Sequence, residues 1–276
     1  MNVVVIGYGS IGKRHTKNLI ELGHRVKTID VEEISNIKSI LRKSKFDCGF
    51  VCSPSNFHLE HMLVLAQSGI PFFCEKPIYS ERNLGLINDI RSLIQEKSLV
   101  NMVGCNLRFH PVIKSFDCSR VHNMKVFFGY DLRKWHNDGK HLESYSANKN
   151  MGGGVLLDAI HEFDYLYNWF GKIKEISGVK KRIGSVTVDT EDTVKAKVVF
   201  ACGVVAEVHL DYLQNEYTRY FEAHGIKKHI NPTNQMYVDE IRYFMDCVKN
   251  KKKCMNDFEE AIYLVDEIRS GGIKDL

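Results

Sequence analysis

Four short stretches of the 276-residue chain carry side chains whose types and spacing could do chemistry. Gly7-Tyr8-Gly9-Ser10-Ile11-Gly12 follows the pattern G-x-G-x-x-G and lies between an apolar run, Val3–Ile6, and an amphipathic one, Ile11–Leu22. In that setting the glycines permit a tight turn and the close approach of a pyrophosphate, whose charge meets unbonded N–H groups at a helix start. Elsewhere the pattern is an ordinary glycine turn, so the flanking elements carry the argument. Asp30 stands eighteen residues beyond Gly12 at the end of the next apolar run. A carboxylate there accepts from both ribose hydroxyls and repels a 2′-phosphate, so NAD is expected over NADP, with Lys27 opposing that preference. Lys76 follows the fourth apolar run, at the strand edge where parallel sheets bind ligands. An ammonium there polarises an oxygen that acquires alkoxide character. A surface lysine before a proline turn is the plainer alternative.

The fourth stretch is Val155–Phe170. At about 100° per residue, Leu156, Ile160, Phe163, Tyr167 and Phe170 share one side of a helix, and Asp158, His161, Glu162 and Tyr165 cluster opposite. That second side is either a solvated face or a polar row presented to a cleft, and an imidazole in such a row suits proton exchange with a hydroxyl. His161-Glu162 and the pair His58 and His61 lack third and fourth ligands at a recognisable spacing, so no metal is expected. No G-x-S-x-G or paired Cys/His arrangement suggests a hydrolase.

The elements that must position these residues follow from periodicity. Val3–Ile6, Arg25–Ile29, Cys48–Cys52, Pro71–Cys74 and Val100–Gly104 read as strands, alternating with helices over Ile11–Leu22, Glu33–Ser44, His58–Gln67 and Asn83–Glu96. This is the rhythm of a parallel sheet with crossover helices, and it predicts a dinucleotide-binding domain over residues 1–118. Beyond it, longer β-rich segments (Lys125–Asp131, Glu175–Arg182, Asp192–Phe200, Val204–Tyr212, Thr218–His224) predict a second α/β domain over residues 119–276. Ala201-Cys202-Gly203 reads as a hairpin turn, and Met236–Lys249 and Asp257–Ser270 as C-terminal helices.

Composition narrows the class. With 44% hydrophobic and 26% charged residues the chain is globular in type, and its longest apolar runs fall well short of the ~20 residues a membrane span needs. A net charge of +4 creates no one-signed field, and Lys249 with Lys251–Lys253 reads as a solvated turn, so no nucleic-acid partner is expected. The eight cysteines form no C-x-x-C pair and read as buried free thiols. Met1 leads directly into the first apolar run, so no cleavable leader is expected and a reducing cytoplasm is the expected compartment.

Taken in order, Gly7–His15 (G-x-G-x-x-G-x-R-H), Ser53-Pro54-Ser55-Asn56-Phe57-His58, Glu75-Lys76-Pro77, Arg108-Phe109-His110-Pro111, and Gly152-Gly153-Gly154 leading into Asp158 and His161 resemble the Gfo/Idh/MocA oxidoreductase family. The resemblance covers nearly the whole chain. It implies a Rossmann domain followed by an α/β domain with a large open, mostly antiparallel sheet that faces the cofactor and often forms the subunit interface. It implies hydride transfer between nicotinamide and a carbinol or carbonyl carbon of a sugar, cyclitol or nucleotide-sugar derivative. Gly7, Gly9, Ser10, Ile11, Gly12, Asp30, Ser53, Pro54, Asn56, His58, Glu75 and Lys76 are then the expected cofactor contacts. Lys76 reaches the nicotinamide ribose and the reacting oxygen, Pro77 fixes the loop, and His161 exchanges the proton. Asp158 departs from the family, standing three residues before the histidine where many members have four; it orients His161, binds a substrate hydroxyl, or does neither. A looser likeness to members acting in surface-glycan and nucleotide-sugar metabolism adds Arg108, Trp135, His136 and Tyr145 as substrate contacts, with Lys134 beside them. The short stretch between Thr218–His224 and Met236 implies a trimmed outer sheet. A homodimer or homotetramer is expected through the open sheet face, because Val194–Phe200 and Val204–Leu210 carry more apolar residues than one covered face requires. Two other readings stand beside this one: a reductase of a bilin- or dihydrodiol-type substrate, and a non-catalytic dinucleotide sensor, which has no need to retain both Lys76 and His161.

Overall fold

The computed structural model describes residues 1–135, 142, 144–184 and 188–276. The chain divides into two compact units, one of Met1–Gly104 with Asn234–Ile262, the other of Cys105–Thr233 with Tyr263–Leu276. The contiguous division at residue 118 expected from the sequence differs from this in two ways. The first crossing falls at Gly104, and the chain later re-enters the first unit for a helix and a strand-edge segment.

In the first unit, β1 (Asn2–Ile6), β2 (Arg25–Ile29), β3 (Cys48–Val51), β4 (Phe72–Cys74) and β5 (Asn101–Val103) form one parallel sheet in the order β2-β1-β3-β4-β5. The connecting helices are α1 (Ser10–Glu21), α2 (Ile37–Lys43), α3 (His58–Gln67) and α4 (Leu84–Lys97). Both faces of the sheet are covered, so Val3–Ile6, Phe50, Val51, Phe72 and Phe73 are all buried and their runs are apolar without alternation. Phe50 and Phe73 stack at 4.9 Å, and Phe244 of the helix Asn234–Asn250 stands edge-on to both. The returning segment also satisfies the free edge of β5. Asn256 accepts from the Val103 N–H at 2.8 Å and donates to its carbonyl at 2.9 Å, and the Phe258 N–H donates to the Asn101 side chain. An uncovered strand edge is thereby paired.

In the second unit, β6 (Asn123–Gly129), β7 (Ile173–Lys181), β8 (Thr193–Phe200), β9 (Val205–Asp211), β10 (Thr218–Ala223), β11 (Ile226–His229) and β12 (Gly272–Asp275) make a seven-stranded mixed sheet. Its order is β11-β10-β6-β9-β8-β7-β12, with only the β6–β9 and β7–β12 pairs parallel. The stretch expected to mark a trimmed sheet contains β11, and the hairpin turn closes through Gly203 at φ +91°. Four more short helices belong to this unit, α5 (Pro111–Lys114), α6 (Leu132–Trp135), α7 (Val155–Asp158) and α8 (His161–Phe170).

Two expectations are corrected here. The helix predicted over Val155–Phe170 is two helices, because Ala159 at φ −97°, ψ 32° breaks the run after Asp158. Its polar side is no solvated face: Glu162 and Tyr165 are fully buried. Most apolar residues of β8 and β9 (Val194, Ala196, Val198, Phe200, Ala206, Val208, Leu210) lie on the covered face, and the opposite face carries Lys125, Lys195, Lys197, Glu207 and His209 together with the half-buried Val199, Val205, Phe127 and Tyr220. Of the eight cysteines, six are buried, Cys118 is half-buried and Cys202 is exposed in the hairpin turn. Among the described residues no helix is long and apolar enough to cross a membrane.

Candidate active site

The strand order of the first unit lines up the residues singled out in the sequence along one edge. Paired registers put Ile29, Ile6, Val51 and Cys74 level with one another, so the residues that follow them stand in the order Asp30, Gly7, Ser53, Glu75-Lys76. At about 4.8 Å per strand, Asp30 and Lys76 are separated by roughly 14 Å along that edge. The sheet reverses its direction of winding between β1 and β3, where such sheets hold ligands.

The three glycines differ in what they permit. A Cβ on Gly7, at φ +93°, would stand 2.6 Å from the Ser53 nitrogen, and one on Gly12 would stand 2.1 Å from the Gly7 carbonyl oxygen. These two let the loop pack on β3 and helix α1 pack on the loop. A Cβ on Gly9 would meet nothing within 4 Å, so the second glycine keeps open space above the helix start. That helix has no side-chain cap and no acid in its first turn, which leaves Ser10 and Ile11 at an N-terminus suited to an anion. The arrangement fits a dinucleotide pyrophosphate. Beside it, Asp30 is exposed and accepts from the Tyr8 N–H at 3.4 Å. Lys27, expected to soften any preference for NAD, is tied to Glu33 at 2.8 Å.

In the next loop Pro54 and Asn56 are exposed, while His58 is buried with Nδ1 2.8 Å from the Pro77 carbonyl and Nε2 2.8 Å from the Ser53 carbonyl. Burial holds the His58 pKa below its ordinary value against the pull of these two acceptors. His58 thus joins the Ser53 loop to the Lys76 loop. His61 is buried, with Nδ1 2.8 Å from the Ser53 hydroxyl; burial, and then the neighbouring His58, pull its pKa down to about 4. Glu75, an expected cofactor contact, is 9% exposed. It turns inward, its Oε1 2.6 Å from Nε2 of the fully buried His15. Burial pushes the Glu75 carboxyl up, but the His15 hydrogen bond and the charges of His15 and Lys76 outweigh it and hold the group below the ordinary carboxylate value. Lys76 itself is half-buried, after the end of β4.

In the second unit, Asp158 is 2% exposed, and its Oδ2 accepts from Ser146 Oγ at 2.8 Å and Tyr212 Oη at 3.0 Å. A carboxylate so engaged ties the chain around residue 146 to Tyr212, just beyond β9. The Leu156 N–H and Val155 N–H bond to the side chain and carbonyl of Glu191, fixing the start of α7. A Cβ on Gly154, at φ +110°, would fall 2.3 Å from the Glu191 carboxylate, so glycine is required there. His161 opens α8 and is 8% exposed. Arg108, expected to contact substrate, is spent on structure: its Nε and Nη2 bond both Asp164 oxygens at 3.0 and 2.7 Å, and its Nη1 bonds Asn168. Trp135 is partly exposed and packs against Phe128, Tyr130 and Tyr212, which brings it and Asp158 onto the same tyrosine. His136 and the side chain of Tyr145 lie outside the described residues. Among the described residues no group of three His, Cys, Asp or Glu side chains could hold a metal ion. Sequence reasoning passed over His15, Tyr212 and Glu191; of these only His15 left a signal, as the last residue of the glycine-loop motif.

Residues 21–105 match the family described as "Oxidoreductase family, NAD-binding Rossmann fold", and residues 107–231 match "GFO/IDH/MocA C-terminal domain". The chain is 26% identical over 178 residues to an uncharacterized oxidoreductase, YrbE, of Bacillus subtilis, a match covering 58% of this chain and 51% of that protein. It is 26% identical over 210 residues to the myo-inositol 2-dehydrogenase of Thermotoga maritima, covering 69% of this chain and 60% of that one. These matches therefore span about half to three-fifths of the relatives' length. The scyllo-inositol dehydrogenase of Lactobacillus casei, solved with NAD(H) and scyllo-inositol, has the same fold with a TM-score of 0.78 at 17% identity, over 98% of this chain and 95% of that one.

Proposed function

Because the chain belongs to the Gfo/Idh/MocA oxidoreductase family, we propose that it transfers hydride between NAD(H) and a carbinol or carbonyl carbon of a sugar, cyclitol or nucleotide-sugar derivative. The observation that carries this reading is the strand edge that orders Asp30, an open glycine turn and Lys76 along the span of an extended dinucleotide. Bound there, the nicotinamide ring supplies the hydride acceptor or donor. The N-terminus of α1 holds the pyrophosphate, and Ser53, Pro54 and Asn56 offer a wall beside it. Asp30 takes the ribose hydroxyls. NAD is favoured over NADP because that acid is exposed at the ribose end and the nearest lysine, Lys27, is already paired with Glu33.

Lys76 is the fixed positive charge on the reacting oxygen, and His161 accepts its proton in the oxidation direction. Asp158 serves the reaction by holding the segment ahead of His161, and Trp135, His136 and Tyr145 are the remaining substrate contacts from the expected set. The active form is a homodimer or homotetramer in a reducing cytoplasm, for which the inert, mostly buried thiols offer support: burial pushes Cys52 and Cys74 well above the ordinary thiol value.

The test is a fluorescence titration with NADH followed by a panel of inositols, hexoses and UDP-sugars scanned at 340 nm in both directions. The reading expects NADH to bind and at least one member of the panel to turn over. Binding without any absorbance change across the panel favours the sensor, and no binding at all removes the dinucleotide.

A further inference from the structure

We propose that His58 is a positioning residue: its ring holds the Pro77 carbonyl, and with it the segment that carries Lys76, against the Ser53 loop at the head of helix α3. The inference rests on the reading of Lys76 given above and adds to it a residue that need not touch dinucleotide or substrate. His58, expected among the cofactor contacts, is the first residue of α3 and is 1% exposed. Its Nδ1 stands 2.8 Å from the Pro77 carbonyl oxygen and its Nε2 2.8 Å from the Ser53 carbonyl oxygen. Three residues further along α3, His61 Nδ1 lies 2.8 Å from the Ser53 hydroxyl, so one helix end meets both the wall of the glycine turn and the loop of the lysine.

The backbone after β4 shows why a clasp matters at this point. Up to Glu75 the sheet orders the chain, the Glu75 N–H donating to the Val51 carbonyl at 2.9 Å. Beyond it the chain leaves the strand. The Lys76 N–H reaches Glu75 Oε2 at 3.3 Å, longer than the usual N–H···O bond. Pro77 has no N–H, so its carbonyl is the one backbone group by which that residue can be held. His58 takes hold of it from a helix nineteen residues earlier in the chain. An apolar side chain at position 58 would fill the space without the cost of burying an imidazole, and it would leave the carbonyl of a buried residue without this donor.

A neutral imidazole carries one N–H, and this one faces two carbonyls. Burial disfavours a second proton and outweighs the pull of the two carbonyls and of Glu75. The single N–H is worth most where water cannot replace it: Pro77 is buried, whereas Ser53 is half-buried and has its hydroxyl engaged by His61. Nδ1 therefore carries the proton and donates it to Pro77. Two substitutions separate the two nitrogens. Asparagine bears its amide nitrogen at the same number of bonds from Cα as Nδ1, and glutamine at the same number as Nε2. His58→Asn thus keeps a donor toward Pro77, and His58→Gln keeps one only toward Ser53.

The first test uses the full chain without cofactor or substrate: 15N NMR of labelled histidines at neutral pH, the His58 nitrogens being assigned from their absence in His58→Asn or His58→Gln. Nδ1 should appear as a protonated nitrogen; a bare Nδ1, with the proton on Nε2, overturns the proposal. Kinetics on a substrate found in the panel then reads the consequence. His58→Gln should lose roughly 10–100-fold in kcat while the NADH dissociation constant changes by less than about threefold, and His58→Asn should recover kcat to within about threefold of the unaltered chain. A histidine that only supports the fold predicts another pattern, in which both variants melt earlier and neither separates from the other in kcat. Equal kcat in the two variants, each melting cooperatively, would make His58 structural and overturn the proposal. A fully active Lys76→Ala variant would refute the role of the lysine in the reaction, a separate result from the protonation of Nδ1.

Discussion

Asp30 and Glu33 bracket the turn after β2, and their carboxylates act on different partners: one faces the glycine turn, the other neutralises Lys27. Removing the first should erase the discrimination against a 2′-phosphate, and removing the second should free a lysine that could then attract it. Asp30→Ser is expected to narrow the ratio of NADPH to NADH dissociation constants at least several-fold, and Glu33→Gln to narrow it further when combined with Asp30→Ser. A ratio unchanged by Asp30→Ser in a fluorescence titration would take Asp30 out of the ribose site. At this scale the sequence was legible where a residue's role depends on its position at a strand end, as for the turn glycines Gly7 and Gly12. It was not legible where the role depends on a partner far along the chain. Nothing near Arg108 announces Asp164, and nothing near Asp158 announces Tyr212, so two residues read as facing substrate are held in buried bonds.

Helix α3 carries two histidines three residues apart, and burial depresses both. Burial disfavours the protonated form of both rings in the folded chain, and each takes up a proton in the unfolded chain once the pH drops below about 6.5. The stability they contribute is therefore complete above that value and is lost as pH falls from 6.5 toward 4, the folded pKa of His61. His61 alone accounts for roughly 2 kcal/mol by pH 5. Urea unfolding at pH 7.5 and pH 5 should show that loss, and His61→Phe should flatten the slope between them; an equal slope in the variant would assign the acid sensitivity elsewhere. Elements themselves were mostly legible, because buried parallel strands are bare apolar runs and their helices keep the 3.6-residue period. The break at Ala159 was not, since α7 and α8 are anchored separately, one by Ser146, Tyr212 and Glu191, the other by Arg108, while the apolar period runs through without a gap.

For the whole chain, the open face of the second sheet is a lattice of charge. Cross-strand neighbours run Lys227, Glu222, Lys125, Glu207, Lys197 across five strands, positive and negative in alternation. The next row holds His229, Tyr220, Phe127 and His209, each ring against the next. A row of alternating sign is complementary to a copy of itself, so a homo-oligomer joined there is held by charge pairs around a narrow aromatic stripe and should be sensitive to salt. Light scattering at micromolar concentration should give a multiple of the chain mass at low ionic strength and a smaller average mass at 1 M NaCl; a monomer at both would leave that face without a second copy. The most direct test is turnover at 340 nm as a function of pH for the unaltered enzyme, Lys76→Ala and His161→Ala on one substrate. Each variant should lose roughly 10²–10⁴ in turnover, and the acid limb of the oxidation rate should vanish with the imidazole while NADH affinity holds. Near-full turnover with an unchanged pH profile in His161→Ala would contradict the account.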